Sequence, residues 1–244
     1  MIETVRVLFE NSEWIAVEKP SGMPTTAPRE APVVSLTERV VREHSRGGER
    51  PHPLSRLDVE VTGVVLFART RRARELAVRE RTGGRYVRRY AGLSRIAPRP
   101  GEGVWTWAIG TDPRDRKRRR ADAGEGQQAA RTRYVVLASG TIAWVRFDLD
   151  TGRTHQVRVH AARAGCALLG DRAYGGERHV VLDDGTVATA QRVMLHARAV
   201  RIPGTDEYVV AAYPDDWSEV WARCTTLASP DDLAGLPGSD YGSP

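Results

Sequence analysis

Cysteine, lysine and long apolar runs are what this sequence has least of. Cys166 and Cys224 are the two cysteines among 244 residues, too few for a disulfide framework and without the paired spacing of a cysteine metal site. That usage fits a reducing compartment. No apolar stretch approaches the ~18 residues of a membrane span, and the N-terminus lacks a signal-peptide core, so the expected location is the cytoplasm. Histidine adds no metal site: His44 and His52 have no partners at ligand spacing, and the interval from His155 to His160 is not the i, i+4 pairing of a helical site. Both of the latter read as hydrogen-bonding groups. Lysine is confined to Lys19 and Lys117, which leaves 35 arginines among 37 basic residues. A GC-rich genome would account for that preference. It does not account for a net charge of +6, which favours a polyanionic partner.

Hydrophobic residues make up 41% of the chain and are spread along it without a compositional break, enough to bury a real core at ~150 residues per domain. One stretch organises the rest. Ser55-Arg56-Leu57-Asp58 precedes Thr62-Gly63 and an uninterrupted apolar run from Val64 to Ala68. The run reads as a strand buried on both faces, although periodicity alone also admits a buried helix. Asp58, at its mouth, is either a reactive, partly desolvated carboxylate or an Asx-turn that starts the strand.

The remaining elements follow from period and punctuation. Val5–Phe9 and Trp14–Val17 flank a polar turn as in a hairpin. Ser35 caps a helix carrying Leu36, Val40, Val41 and His44, which ends at Gly47-Gly48. Thr70 caps a second helix through Arg81, with Ala73, Leu76, Ala77 and Glu80 on one face and five arginines elsewhere. Tyr86–Leu93 and Val104–Ile109 read as strands. Arg114–Arg120 is almost wholly basic and continues into residues 121–130, poor in large apolar side chains; the segment reads as a mobile arm, solvated when free and an RNA contact when bound. A hairpin over Thr132–Leu149, a helix from an N-cap at Thr154 to Ala164, a small hairpin about Asp183-Asp184-Gly185, a strand or short helix over Val193–Val200, a strand over Tyr208–Ala212 and a helix capped by Asp216 complete the chain. Many short strands with interspersed helices and no repeating βαβ unit predict an α+β fold on a mixed, mostly antiparallel sheet. Residues 1–225 are expected to form one domain and 226–244 a frayed tail.

Arg56-Leu57-Asp58 with Thr62-Gly63 resembles the signature around the catalytic aspartate of RluA-type RNA pseudouridine synthases. Thr151-Gly152-Arg153-Thr154-His155-Gln156-Val157-Arg158-Val159-His160, followed by Leu169-Gly170-Asp171 and Tyr174-Gly175, is similar to the second hallmark of that family. Weaker echoes occur at Lys19-Pro20-Ser21-Gly22, Arg88-Arg89-Tyr90, Ile109-Gly110 and Leu195-His196-Ala197. The resemblance implies an isomerase acting on uridines in structured rRNA or tRNA, with Asp58, Tyr90 and Arg153 as catalytic residues. It also implies substrate contacts at Arg56, Leu195, Lys19 and Arg158, no cofactor or metal, a monomer, and no accessory S4 domain before Trp14. A guanidinium such as that of Arg153 near Asp58 would keep the carboxylate ionised, and Arg56 would fill the space left by a flipped base.

Departures stand at Ser55, where the family usually has His, at Val61-Thr62, and at Arg88 and Gly92. Two other classes remain at this point. A non-catalytic RNA-binding or assembly factor would bind RNA without forming pseudouridine, and a glycoside hydrolase would need a second carboxylate, for which Glu60 lies close in sequence but has no other support.

Overall fold

Asn11 turns the chain first. Its Oδ1 accepts from the backbone N–H of Glu13 at 2.9 Å and of Trp14 at 2.8 Å, an Asx-turn that joins β1 (Val7–Glu10) to β2 (Trp14–Lys19) as an antiparallel hairpin. The computed structural model describes residues 4–27 and 33–230. The described chain divides into two compact units, one holding the N-terminal residues to Arg88 with Ala197–Ala212, the other Arg89–His196 with the described residues from Tyr213 on.

In the first unit, α1 (Leu36–His44) starts where the serine requires it: Ser35 accepts from Glu38 N–H while the Glu38 side chain accepts from Ser35 N–H, a capping box. After β3 (His52–Pro53) comes β4 (Thr62–Ala68), buried along its whole length. β4 pairs with β2 through Ile15↔Phe67 and Val17↔Val65, so the apolar run is a strand and the helical alternative falls. Gly63 is required there: its φ is +116°, and a Cβ would stand 2.3 Å from the Ala197 carbonyl oxygen. Helix α2 (Arg71–Thr82) is capped by Thr70 and lays Ala73 and Ala77 on a core with Trp14, Leu66 and Tyr86. Glu80, also on the buried face, accepts from Arg85 at 2.9 and 2.7 Å and lies 3.6 Å from Arg201, so its charge is compensated.

The second unit is built on β5 (Arg88–Ser94), β6 (Glu102–Trp105), β10 (Thr132–Ser139) and β11 (Ala143–Leu149), paired antiparallel in the order β5-β11-β10-β6. The expected strand over Val104–Ile109 is two strands, β6 and β7 (Ile109–Thr111). The expected mobile arm is corrected as well. β7 pairs with β8 (Arg119–Ala121) and β9 (Glu125–Gln128) in a three-stranded sheet. That sheet needs little apolar side chain, because backbone pairing forms it, Gly124 allows the close turn at φ +93°, and Ile109 and Ala130 pack on Val159. Helix α3 (Gln156–Arg163) begins later than Thr154, with His155 at the N-cap.

A 3₁₀ turn at Arg172–Tyr174 and the hairpin β12 (His179–Val181) and β13 (Val187–Thr189) follow. The chain leaves the unit on β14 (Leu195–Arg201), a strand rather than a helix, whose later residues pair with β15 (Tyr208–Val210) in the first unit. It returns in α4 (Asp215–Cys224), whose N-cap is Pro214 and not Asp216. Trp144, Trp217 and Trp221 centre this unit's core, with ring centroids of Trp144 5.4 and 4.9 Å from the other two. The expected tail lies beyond residue 230, outside the described residues, for most of its length.

Candidate active site

Asp58 is half-buried and Arg56 exposed, on the segment that enters β4. The backbone around Asp58 is held at three successive places. On its N-terminal side, Thr25 Oγ1 accepts from Leu57 N–H and donates to Leu57 C=O, both at 3.0 Å, from a position 2% exposed. On its C-terminal side, the Val59 carbonyl accepts from Gly22 N–H at 2.9 Å and from the Lys19 ammonium at 3.0 Å. The Glu60 carbonyl accepts from Ser21 Oγ at 3.2 Å. Val61 N–H closes a turn onto the Asp58 carbonyl at 3.1 Å. Residues 19–25 therefore fix the main chain on both sides of the aspartate. Upstream, the Arg81 guanidinium donates to Leu54 C=O and lies, like Arg88, over the ring of Tyr86. Burial pushes the Tyr86 phenol above its ordinary value against the pull of those two cations.

The motif resemblance puts Lys19 at the substrate. It is 0% exposed, its ammonium on the carbonyls of Pro20 and Met23 at 2.8 Å each and of Val59, so its three donors hold the loop beneath Asp58. Arg158 forms a bidentate pair with the fully buried Asp171, both contacts at 2.8 Å.

In the second unit, Arg153 is exposed at the tip of a turn that Gln156 organises. Gln156 Oε1 accepts from Arg153 N–H at 3.0 Å and from Thr151 Oγ1 at 2.7 Å, while its Nε2 donates to the Arg131 carbonyl at 3.0 Å and to Thr132 Oγ1 at 2.9 Å. A buried glutamine with all four groups used is a rigid joint, and neither period nor capping rules point to it. Arg153 Nε donates to the Ala129 carbonyl, just past β9, at 2.9 Å. His160, 0% exposed, bonds Thr132 Oγ1 and the Trp107 carbonyl, and burial lowers its pKa; it is the hydrogen-bonding group its spacing suggests.

Tyr90 is 7% exposed on β5 opposite Phe147, and Leu195 is 4% exposed at the start of β14. Sequence reasoning overlooks Arg192, which donates to the carbonyls of Val193 at 3.0 Å and Leu195 at 3.4 Å and forms a bidentate pair with Asp216 at 2.7 and 2.9 Å. Asp216 thus serves an ion pair and not a helix cap.

Against known proteins, the family model described as RNA pseudouridylate synthase matches residues 13–163. The uncharacterized RNA pseudouridine synthase YhcT of Bacillus subtilis is 31% identical over 215 residues, covering 85% of this chain and 68% of that protein. YjbO of the same organism is 31% identical over 177 residues, covering 72% and 62%. The chain thus spans about two thirds of the length of these relatives. The solved structure of human RNA pseudouridylate synthase domain containing 4 superposes with a TM-score of 0.72 at 23% identity, over 93% of this chain and 95% of that one, a likeness of fold. More than half of the sequence, with the Asp58 loop and the Arg153 turn inside it, falls within the family match, and the chain belongs to the RNA pseudouridylate synthase family.

Proposed function

We infer that the chain converts specific uridines of structured rRNA or tRNA into pseudouridine, with the Asp58 carboxylate as nucleophile. The observation that carries this reading is the loop around Asp58: a half-buried carboxylate on backbone gripped from Leu57 to Glu60 by the residues 19–25. The Thr25, Ser21 and Lys19 side chains hold the backbone on both sides of the aspartate. Preorganisation of this kind is what a reacting group needs.

The reaction breaks the bond from ribose C1′ to N1, rotates the base and joins C1′ to C5; the hydrogen at C5 leaves as a proton and N1 gains one, so nothing is oxidised or reduced. The carboxylate attacks the sugar or base, or removes a ribose proton. A stacked base must first be flipped out, and exposed Arg56, beside Asp58 in sequence, is suited to fill the gap. The roles of Tyr90 and Leu195 at the uracil, and of Arg153 in the chemistry, rest on the motif resemblance. Phosphate binding is given to the basic β7–β8 loop and the arginines of α2. The reading extends to a monomer in a reducing, cytoplasmic compartment, supported by two buried free thiols, that of Cys166 pushed up to about 12 by burial.

The test is transcriptome-wide chemical mapping of pseudouridine in cells with and without the gene. A site lost with the gene is the expected result and names the RNA. An unchanged map together with salt-sensitive RNA binding would favour a non-catalytic RNA-binding factor on the same fold.

A further inference from the structure

His155 is one of two non-glycine residues with positive φ among the described residues, at +58°. A left-handed histidine is uncommon and persists only where its surroundings determine it. One of those surroundings is a hydroxyl: His155 Nδ1 lies 2.7 Å from Tyr174 Oη. The same oxygen accepts from the backbone N–H of Arg119, on β8, at 2.9 Å. With that lone pair occupied, the phenol proton can be donated to His155 Nδ1. The Tyr174 ring is also held independently of its hydroxyl, with the guanidinium groups of Arg118 and Arg158 at 5.4 and 5.1 Å from its centroid, the latter fixed on Asp171.

Two residues before His155 stands Arg153, whose Nε donates to the Ala129 carbonyl at the end of β9. The basic sheet β8-β7-β9 and the Arg153 turn are therefore joined at two points, through Tyr174 Oη on one side and through the Arg153 side chain on the other. We propose that Tyr174 is a positioning residue: its hydroxyl transmits the placement of the basic β7–β8 loop to the Arg153 turn, so that RNA engaged by the loop sets the orientation of Arg153. The inference rests on the role given to Arg153 above. It gives a task to Tyr174, which the second motif contains without a role, and adds a sequence of events in which phosphate binding precedes alignment of the arginine. A hydroxyl suits this task because it bonds both elements at once, while the ring, packed against two guanidinium groups, keeps it in place.

The test uses the full chain and [5-³H]uridine-labelled total RNA from cells lacking the gene, with tritium release as the readout. Tyr174→Phe keeps the ring and its cation neighbours and removes both hydroxyl bonds. The expected result is a kcat about tenfold lower with KM within about twofold. Hydrogen exchange at the Arg119 amide should be roughly fivefold or more faster. Combined with Arg153→Lys, the substitution should cost less than it does alone, because the two act through one arrangement. His155→Asn, which tolerates left-handed backbone and retains a hydrogen-bonding group, should keep more activity than His155→Ala. Unchanged kcat in Tyr174→Phe, a loss that only tracks the folded fraction, full additivity with Arg153→Lys, or unaltered exchange at Arg119 would each overturn the proposal. If Arg153→Lys alone is as active as wild type, the role of Arg153 is wrong and this inference falls with it; faster exchange at Arg119 would then report a joint of structural importance only.

Discussion

The Asp58 loop and the Arg153 turn are both held by polar side chains, yet by different logic. Around Asp58, the restraints on the main chain of Leu57, Val59 and Glu60 all come from one neighbouring segment of the same unit. Lys19 and Thr25 are fully enclosed there, so no event at the surface is needed to set the aspartate. The Arg153 turn is fixed at its base by Gln156, but its tip leans on a small basic sheet through Ala129 and Tyr174. One region is set when the chain folds. The other is open to adjustment by whatever binds the sheet.

Four variants sharpen that contrast. Asp58→Glu keeps the charge and displaces it by one methylene; on a loop held this firmly the carboxylate cannot be carried back, and kcat should fall about 10²-fold or more, as a 1 Å misplacement does. A loss below about threefold would mean the loop is compliant. Lys19→Met takes the ammonium from the carbonyls of Pro20, Met23 and Val59, of which Val59 keeps the Gly22 N–H, so the expected cost is about 2 kcal/mol of stability in denaturant unfolding, with activity falling alongside. A variant as stable as wild type would show that water replaces the ammonium.

Thr25→Val, nearly isosteric, breaks both bonds to Leu57 and should cost about 1–3 kcal/mol; kcat at a temperature where the protein remains folded should also drop, since the main chain before Asp58 is freed. The matching change on the other side has the smallest expected effect. Replacing Arg116 and Lys117, exposed at the tip of the β7–β8 loop, with alanine should raise KM several-fold and lower kcat at saturation by about twofold, since the loop then engages the RNA less firmly. The slope of log affinity against log salt should become shallower by up to ~1 for each phosphate that is no longer neutralised. An unchanged salt slope would remove this loop from the RNA interface.

Much of this architecture is legible from period and punctuation. Ser35 and Thr70 cap α1 and α2 where N-cap chemistry puts them, and the glutamate three residues after Ser35 completes the box. The run after Gly63 is a buried strand because it is apolar on both faces. The failures share a physical cause. The residues 114–130 look like an arm because they lack apolar bulk, but a sheet of short strands is stabilised by backbone pairing and by glycine at a close turn, neither visible to hydropathy. For Lys19 and Arg158, sequence shows charge and not the carbonyls or carboxylate that they bond. Asp216 stands in the first turn of a helix that Pro214 caps, and answers Arg192 across 24 residues of sequence, a pairing that local rules do not contain. Of the candidate site, the motif residues are readable and the supports are not: Thr25 and Arg192 lie outside the motifs, and Gln156 and Tyr174, though inside the second one, act on distant backbone or side chains that local sequence does not show.

The central claim is that Asp58 carries the chemistry while its neighbours carry the structure. Asp58→Asn tests it directly, because the amide is nearly isosteric and cannot act as a carboxylate. The measurement is pseudouridine formation at the mapped site when purified protein is added to RNA from cells lacking the gene, beside a thermal melt and a binding isotherm for the same RNA. The account predicts restoration by wild type and none by Asp58→Asn, with melting temperature within a few degrees and affinity within about threefold, since a lost turn bond is worth only ~1 kcal/mol. Restoration by Asp58→Asn at near wild-type rate, or a loss explained by unfolding alone, would contradict it.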